Sequence, residues 1–263
     1  TTEIYTLSLH DALPIFYKSV WKLIDFIFPP RCAGCGLIGE RFCNNCAQQV
    51  QLLKGKICEK CGEPLNYLQH NIQDCIDRLP NLQWIRSYSY YQPPLSLAIQ
   101  KLKYHRDIGI AEVLANYLVK LYNKNKLDID MVIPVPLSPI RLHERGYNQS
   151  FLLALPFSMM VNKPINKQSL RRVKETRSQV GLDRHERYVN VSEAFSADSS
   201  VVSGKNILLI DDVTTTGSTL EACAAALKVA GAMDIVGLTL ARAVQTHKGY
   251  SDQLNDAVTA KKF

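Results

Sequence analysis

Three features that would assign this chain to a familiar class are missing from its sequence. No apolar run reaches the roughly 18 residues that a membrane-spanning helix needs. The N-terminal residues lack the ordered basic start, apolar core and small-residue cleavage site of a signal peptide. A phosphate loop of the GxxxxGK(S/T) type is absent as well. We therefore expect a cytoplasmic protein, for which a peripheral contact with the inner membrane stays open.

The length and composition of the chain fit one α/β domain with an attached module. Its 263 residues are 46% hydrophobic, which is enough for a complete core. The net charge of +7 is concentrated in one stretch, because residues 141–190 hold ten Lys or Arg side chains against four acids. This stretch favours a polyanionic ligand, such as pyrophosphate, a nucleotide or a nucleic acid, over a merely solvated basic face.

Seven of the eight cysteines lie between residues 32 and 75, and six of these form C-x-x-C pairs. Each pair can place two thiolates on one side of a tight turn, which is half of a tetrahedral zinc site. Disulfides are disfavoured in a reducing compartment, and a redox C-x-x-C would need a βαβ context that this region lacks. We therefore predict structural Zn²⁺. The predicted ligands are Cys32, Cys35, Cys43, Cys46, Cys58, Cys61 and Cys75.

The spacing leaves the pairing of these ligands, and the number of zinc ions, open. The first two pairs could close one four-cysteine site, after which Cys58, Cys61 and Cys75 need a fourth ligand. His70 is the nearest candidate for it. Alternatively, the first and third pairs could share one metal ion.

Beyond Pro80 the pattern changes to alternating strands and helices. This alternation indicates a mostly parallel sheet flanked by helices, and ligands of such sheets bind beyond the carboxyl ends of the strands. A further helix after Asn148 contains Pro156, which should kink or shorten it. The predicted strands are residues 84–91 and 131–135, and the predicted helices are residues 94–104 and 108–122.

Two arginines follow the second of these strands. Arg141 and Arg145 are four residues apart, so a turn or short helix would bring them to one face. Paired guanidinium groups suit the oxygens of pyrophosphate. Capping of the preceding strand end is the structural alternative.

The sequence ILLIDDVTTTGST at residues 207–219 carries the most specific signal in the chain. Its four leading apolar residues predict a strand that is buried on both faces and ends at Asp211 and Asp212. Small hydroxyl residues and a glycine then lead into a helix, whose free N–H groups and positive N-terminus favour an anion. Carboxylates accept hydrogen bonds from sugar hydroxyls. Together the acids and the loop predict a site for a sugar 5-phosphate.

This stretch resembles the phosphoribosyl pyrophosphate (PRPP) motif of the type I phosphoribosyltransferases. The resemblance implies the fold of that family, with Asp211 and Asp212 holding the ribose hydroxyls and the loop holding the 5-phosphate. The loop residues are Thr214, Thr215, Thr216, Gly217, Ser218 and Thr219.

Two more blocks narrow the resemblance to ComF-like proteins. Residues 133–150, IPVPLSPIRLHERGYNQS, are similar to the VP-R-ERG-NQ signature of that family, and residues 171–195 are similar to its next block. The cysteine-rich N-terminal region completes the match, although a fourth C-x-x-C common in the family is reduced here to the single Cys75. The resemblance covers about residues 20–243.

This resemblance implies roles for further residues, cofactors and partners. Arg141 and Arg145 would bind pyrophosphate, while Arg177, Arg184 and Arg187 would lie on a mobile catalytic hood, with Arg177 and Arg184 joining the two acids in catalysis. PRPP and Mg²⁺ are the implied ligands. ComF-like proteins are associated with natural competence, which implies single-stranded DNA and competence-machinery proteins, such as a helicase at the inner membrane, as partners.

Two other functions stay open. The chain could be an active phosphoribosyltransferase of nucleotide or other metabolism with no role in DNA uptake, or a scaffold with an inactive site. The sequence does not identify the acceptor of a phosphoribosyl group, and enzymatic transfer from PRPP is itself a hypothesis.

The same observations divide the chain into five segments. Residues 1–15 resemble the translation of a sequencing adaptor and are expected to be non-native, and an apolar stripe at helical spacing follows them. The predicted segments are 1–15, a helix at 16–30, a zinc-ribbon module at 31–80, a phosphoribosyltransferase-like domain at 81–243 and a tail at 244–263.

Overall fold

A computed structural model of the chain describes residues 29–65, 70–173 and 194–244. Several predictions lie outside these residues and are not addressed by the structure. They are the segment 1–15, the helix at 16–30 except for its last two positions, the arginines Arg177, Arg184 and Arg187, and all but the first residue of the tail.

The described residues form six strands and eight helices. The strands are β1 (Trp84–Tyr90), β2 (Met131–Pro134), β3 (Leu170–Arg172), β4 (Phe195–Ala197), β5 (Ile207–Thr214) and β6 (Ile235–Arg242). The helices are α1 (Asn44–Gln48), α2 (Ile72–Arg78), α3 (Leu95–Tyr104), α4 (Ile110–Asn125), α5 (Pro139–Arg145), α6 (Gln149–Val161), α7 (Ser199–Val202) and α8 (Ser218–Val229).

Four of the strands form a parallel sheet in the order β1-β6-β5-β2, while β3 and β4 form a separate antiparallel pair. The helix α8 connects β5 to β6, as a parallel crossover requires. This architecture confirms the predicted fold class. Among the described residues, no helix combines the length and the apolar character that crossing a bilayer requires.

The central strand β5 separates two cores, because successive side chains of a strand point to opposite faces. Leu208 and Ile210 pack into the core that contains residues of α3, α4 and α6. Ile207 and Leu209 pack into the core that contains residues of α8. The prediction of a strand buried on both faces is therefore confirmed.

The predicted end of this strand was wrong. Instead of ending at the two acids, β5 stays paired with β6 as far as Thr214, which lies opposite Arg242. The reason is the length of the neighbouring strand, which continues to supply backbone partners beyond the apolar run. Both acids therefore lie within a fixed strand.

Of the two effects predicted for Pro156, a shorter helix was wrong, while a kink stays a prediction. Helix α6 is 13 residues long, begins at the side-chain cap Asn148 and continues through Pro156. Leu153, Pro156 and Phe157 are all buried in this helix. Burial of this apolar surface offsets the hydrogen bond that proline cannot donate.

The cysteine-rich region covers the free edge of β1. The N–H of Ile85 donates to the carbonyl of Lys60 at 2.9 Å, and the N–H of Tyr90 donates to the carbonyl of Gln51 at 3.0 Å. Gly62 lies so close to β1 that an added Cβ would be 2.4 Å from the Ile85 carbonyl oxygen. These contacts satisfy backbone groups that an edge strand otherwise leaves open, and they attach the metal-binding region to the sheet.

Substitution of two equivalent glycines tests this attachment. Gly36 and Gly62 each follow a C-x-x-C pair with positive φ, but a Cβ at Gly36 would meet no atom within 4 Å. We expect Gly36→Ala to cost about 1 kcal/mol, from its backbone conformation alone. Gly62→Ala should cost about 1–3 kcal/mol more, because its methyl group forces the region away from β1. Urea unfolding in excess zinc measures both, and equal costs would contradict the attachment.

Candidate functional site

The first cysteine cluster consists of Cys32, Cys35, Cys43 and Cys46, whose Sγ atoms all lie within 4.8 Å of one another. The Sγ atoms of Cys35 and Cys43 are 3.7 Å apart. Tetrahedral Zn²⁺ with Zn–S bonds of about 2.3 Å requires sulfurs roughly 3.8 Å apart. The donor set therefore fits a structural zinc ion.

The second cluster consists of Cys58, Cys61, His70 and Cys75, with ligand atoms that also lie within 4.8 Å of one another. The Nε2 atom of His70 is 3.4 Å from the Cys75 Sγ and 3.9 Å from the Cys61 Sγ. In this arrangement the first pair joins the second, and the third pair joins His70 and Cys75. The alternative that joined the first and third pairs around one metal ion was wrong.

Glu63 orients the histidine of the second cluster. Its Oε2 lies 3.5 Å from the His70 Nδ1, so an Nδ1–H directed at the carboxylate leaves Nε2 free to bind metal. A carboxylate behind a zinc-binding imidazole is a common feature of such sites. Sequence analysis missed Glu63, although it lies only two residues after Cys61.

Backbone donors favour the thiolate form in both clusters. Burial alone would raise the pKa of Cys32, but N–H groups, led by that of Cys43 at 3.3 Å, outweigh burial and lower the pKa to about 6. Burial likewise opposes ionisation of Cys58, yet the Cys61 N–H and His70 lower its pKa to about 7. Thiolates are the form that binds zinc, so these donors favour metal binding at one cysteine of each cluster. Burial and the neighbouring thiols act in the opposite direction at Cys46 and Cys75 and raise their pKa values.

A cavity of about 610 Å³ opens at the carboxyl ends of β2 and β5. Asp211 and Asp212 lie in its wall, as expected for a parallel α/β sheet. Thr219 is the residue of the predicted loop that also lines it, while Thr214 is buried as the last residue of β5. Five basic side chains and a third acid, Glu144, line the same cavity. The basic residues are Lys103, Arg106, Arg141, Arg145 and Arg172.

The two acids are held differently. Asp211 accepts a hydrogen bond from the Ser150 hydroxyl at 2.7 Å, whereas the Asp212 Oδ2 lies 2.7 Å from the Lys103 Nζ. The second contact is an ion pair between two largely buried side chains. Burial disfavours a charge on Lys103, but the two carboxylates outweigh burial and raise its pKa.

The segment 214–219, which we call the phosphate loop, runs from the last residue of β5 into the first turn of α8. Gly217 has φ +89° and caps the N-terminus of that helix, a conformation that favours glycine. The hydroxyls of Thr216 and Ser218 lie 2.7 Å apart. Backbone N–H groups at this helix terminus can donate to an anion.

Helix α5 brings the two predicted arginines to the cavity. Ser138 caps the helix by accepting from the Arg141 N–H at 3.4 Å, and one helical turn later Arg145 donates to the Gln149 side chain. Both guanidinium groups line the cavity. Arg141 and Arg145 thus line the same cavity as the two acids, and their binding of pyrophosphate stays a prediction.

Comparison with known proteins identifies two family domains. A model described as a double zinc ribbon domain matches residues 23–77, and a model described as a phosphoribosyl transferase domain matches residues 164–258. The chain is 32% identical over 225 residues to competence protein F of Haemophilus influenzae, covering 81% of this chain and 97% of that protein. This chain belongs to the ComF family.

Other relatives of this ComF-family chain carry related names. The DNA utilization protein YhgH of Salmonella typhi is 33% identical over 198 residues, covering 73% of this chain and 86% of that protein. The competence protein ComFC of Bacillus subtilis is 29% identical over 212 residues, covering 77% and 85%, respectively. The resemblance to ComF-like proteins, the zinc ribbon and the structural zinc predicted from the sequence are confirmed.

Two residues that contact the acids of the ComF cavity were missed by sequence analysis. Lys103 and Ser150 come from α3 and α6, and they meet the acids only after the chain has folded. Ser150 ends a block that was noted for its arginines, so its position was a usable signal. Lys103 lies in the last turn of a helix with an apolar face, and nothing in its local sequence distinguishes it from a solvated lysine.

The buried acid makes stability depend on pH. Burial, reinforced by Asp212, raises the pKa of Asp211 to about 7, above its value in an unfolded chain. The folded protein therefore holds a proton that the unfolded chain releases between about pH 4 and 7, so this contribution to stability declines as pH rises through that window. As pH rises through this window, the free energy of unfolding of Asp211→Asn should increase relative to that of the wild type. The increase should be at most about 1.4 kcal/mol per pH unit.

Denaturant unfolding at a series of pH values measures this difference. It should be constant above about pH 8, where the acid is ionised in both states. A difference that is flat between pH 4 and 7 would contradict the raised pKa.

Proposed function

We propose that this ComF-family protein binds PRPP in the cavity at the end of β5 and acts in DNA uptake. The observation that carries the proposal is the pair of buried carboxylates facing five cations around one cavity. A ligand that combines vicinal hydroxyls with phosphates matches this mixture. Carboxylates alone would repel a phosphate, and cations alone would not require the acids.

Each group then has a defined task. Asp211 and Asp212 accept hydrogen bonds from the ribose hydroxyls, and the phosphate loop binds the 5-phosphate through its N–H groups. Arg141 and Arg145 bind the pyrophosphate in bidentate fashion. Lys103, whose Nζ lies 2.7 Å from the Asp212 Oδ2, fixes the position of this carboxylate before the sugar arrives. If the chain transfers a phosphoribosyl group, the acids also stabilise the positive charge that develops on the ribose.

The residues of the cavity also fit Mg²⁺. This ion is usually bound by one or two carboxylates together with substrate phosphates, and the carboxylates of Asp211 and Asp212 both line the cavity. Asp212 would hold the ion together with the ligand. Bound Mg²⁺ would supply charge neutralisation for the departing pyrophosphate.

Removal of both carboxylate charges tests the ribose assignment. Charge-assisted hydrogen bonds contribute about 1.5–3 kcal/mol each, so Asp211→Asn combined with Asp212→Asn should weaken PRPP binding by roughly 100-fold or more. Titration calorimetry with Mg²⁺ present measures the affinity. Asp234→Asn, an exposed change just before β6 at the opposite end of the sheet, is the matched control and should bind normally. Unchanged affinity in the double variant would refute the assignment.

The DNA-related part of the proposal rests on the names of the relatives and on the rim of the cavity. Tyr104 is 68% exposed there, and the Arg145 guanidinium lies 5.3 Å from its ring. Tyr88 and Tyr91, by contrast, pack against the core. An exposed aromatic ring among cations is suited to a single-stranded nucleic acid, because bases stack on the ring while the cations contact phosphates.

Binding of a single-stranded oligonucleotide tests this part. Its affinity should fall steeply between 50 and 200 mM salt, because phosphate contacts release counterions. At constant salt, Tyr104→Ala should weaken binding by about 1–3 kcal/mol, whereas Tyr104→Phe, which keeps the ring, should bind normally. Fluorescence anisotropy measures each affinity. PRPP binding without any oligonucleotide binding would instead favour the phosphoribosyltransferase with no DNA role.

A further inference from the structure

A fully buried arginine connects the second zinc cluster to the phosphate loop. Arg242, the last residue of β6, is 1% exposed. One arm of its guanidinium donates to the carbonyl of Thr215 at 2.6 Å, and the other donates to the carbonyl of Cys61. A single side chain thus joins a metal ligand to the loop that is proposed to bind phosphate.

The charge of this arginine fits a metal-loaded cluster. Three thiolates and a neutral imidazole leave the second cluster with one net negative charge when Zn²⁺ is bound. A buried cation needs such a counter-charge. Loss of the metal ion would therefore disturb the position of Arg242 as well as the cluster.

A buried acid makes a second connection. Glu221, in the first turn of α8, accepts hydrogen bonds from the Asn81 N–H at 3.1 Å, the Asn81 Nδ2 at 2.6 Å and the Leu82 N–H at 3.2 Å. Asn81 and Leu82 follow closely after α2, the helix that carries the zinc ligand Cys75. The helix that begins at the phosphate loop is therefore anchored to the segment that the second cluster folds.

The glycine of the loop makes a third connection through packing. An added Cβ at Gly217 would lie 2.6 Å from the Ile85 Cδ1 and 3.3 Å from the Leu79 Cδ2. Leu79 is itself fixed to the cluster, because its N–H donates to the carbonyl of Cys75 at 3.0 Å. The loop thus rests directly on residues that the second zinc cluster positions.

The first cluster lies elsewhere. Cys32, Cys43 and Cys46 pack in the core on the opposite face of the sheet, whereas the cysteines of the second cluster share a core with α8. The hydrogen bond from Lys101 Nζ to the Cys32 carbonyl, at 3.4 Å, joins the first cluster to α3. Of the two clusters, only the second adjoins the phosphate loop. The first cluster therefore serves as the control for the second.

We propose that zinc at the second cluster, acting through Arg242 and Glu221, holds the phosphate loop in its ligand-binding conformation. Arg242 is a positioning residue in this arrangement. The inference rests on the proposed PRPP site and adds to it a dependence on one of the two metal ions. Because linkage is reciprocal, PRPP must tighten zinc at the second cluster by the same factor by which zinc there tightens PRPP.

The main experiment measures zinc transfer to a chromogenic chelator with and without PRPP, at saturating Mg²⁺. In the wild type, PRPP should tighten one of the two zinc ions by roughly tenfold, within the usual range of such coupling. The Asp211→Asn and Asp212→Asn double variant reveals any direct chelation of zinc by the ligand. Tight PRPP binding with no change in either zinc ion would overturn the inference.

Variants of the two clusters show which of the two zinc ions PRPP tightens. Cys35→Ser should leave one zinc ion, at the second cluster, and that ion should still respond to PRPP with PRPP affinity unchanged. Cys75→Ser should leave the zinc ion of the first cluster, which should not respond, and PRPP affinity should fall roughly tenfold. Equal losses of PRPP affinity in both variants would indicate general destabilisation and overturn the inference.

Arg242→Met separates the arginine from the metal ion. It should keep two zinc ions while losing both PRPP affinity and the response of zinc to PRPP, and Arg242→Lys should restore part of each. Full coupling in Arg242→Met would exclude the arginine as the connection. The wild-type measurement stands even where a variant fails to fold.

Hydrogen exchange distinguishes failure of this inference from failure of the PRPP site. If calorimetry detects no PRPP binding to the wild type, the proposed function is wrong. The connection itself still predicts faster exchange of the amides at 215–219 in Cys75→Ser than in Cys35→Ser, without any ligand. Equal exchange in these two variants would overturn the inference whatever the ligand.

Discussion

The structure depends on β5, a strand buried on both faces that carries two carboxylates into the interior at its end. Ionised carboxylates are costly to bury unless they are paired or accept hydrogen bonds. Asp211 meets this requirement with Ser150, and Asp212 meets it with Lys103. The helices α3 and α6 must therefore lie where they do, and the cavity that forms between them and the strand is lined by cations.

The metal-binding region packs against the same sheet. It contributes buried cysteines to both cores, on opposite faces of the sheet, and it covers the free edge of β1. A region of this length has little apolar surface of its own, so metal binding supplies much of its folding free energy. The cores in turn give it a fixed position. Metal clusters and sheet are thus parts of one packed unit.

Buried polar groups connect these parts more specifically than apolar contacts do. Arg242 and Glu221 each satisfy backbone groups that lie far away in sequence. Since an unsatisfied buried polar group is expensive, such contacts permit only one relative placement of the phosphate loop and the second cluster. Packing of apolar side chains alone would tolerate small shifts there.

The sequence by itself determined much of this protein. Strands that are apolar on both faces, together with apolar helix faces, predicted the parallel sheet. The C-x-x-C pairs predicted the metal-binding region. Both predictions succeeded because these patterns report local geometry. The motif at 207–219 located the acids and the loop for the same reason. Only the tertiary structure decided the rest. Continued pairing with β6 placed the acids within β5, folding brought Lys103 and Ser150 to them, and the ligand pairing in the clusters followed from where the turns meet. Arg242 and Glu221 could not be recognised in the sequence, since a partner more than a hundred residues away leaves no local pattern.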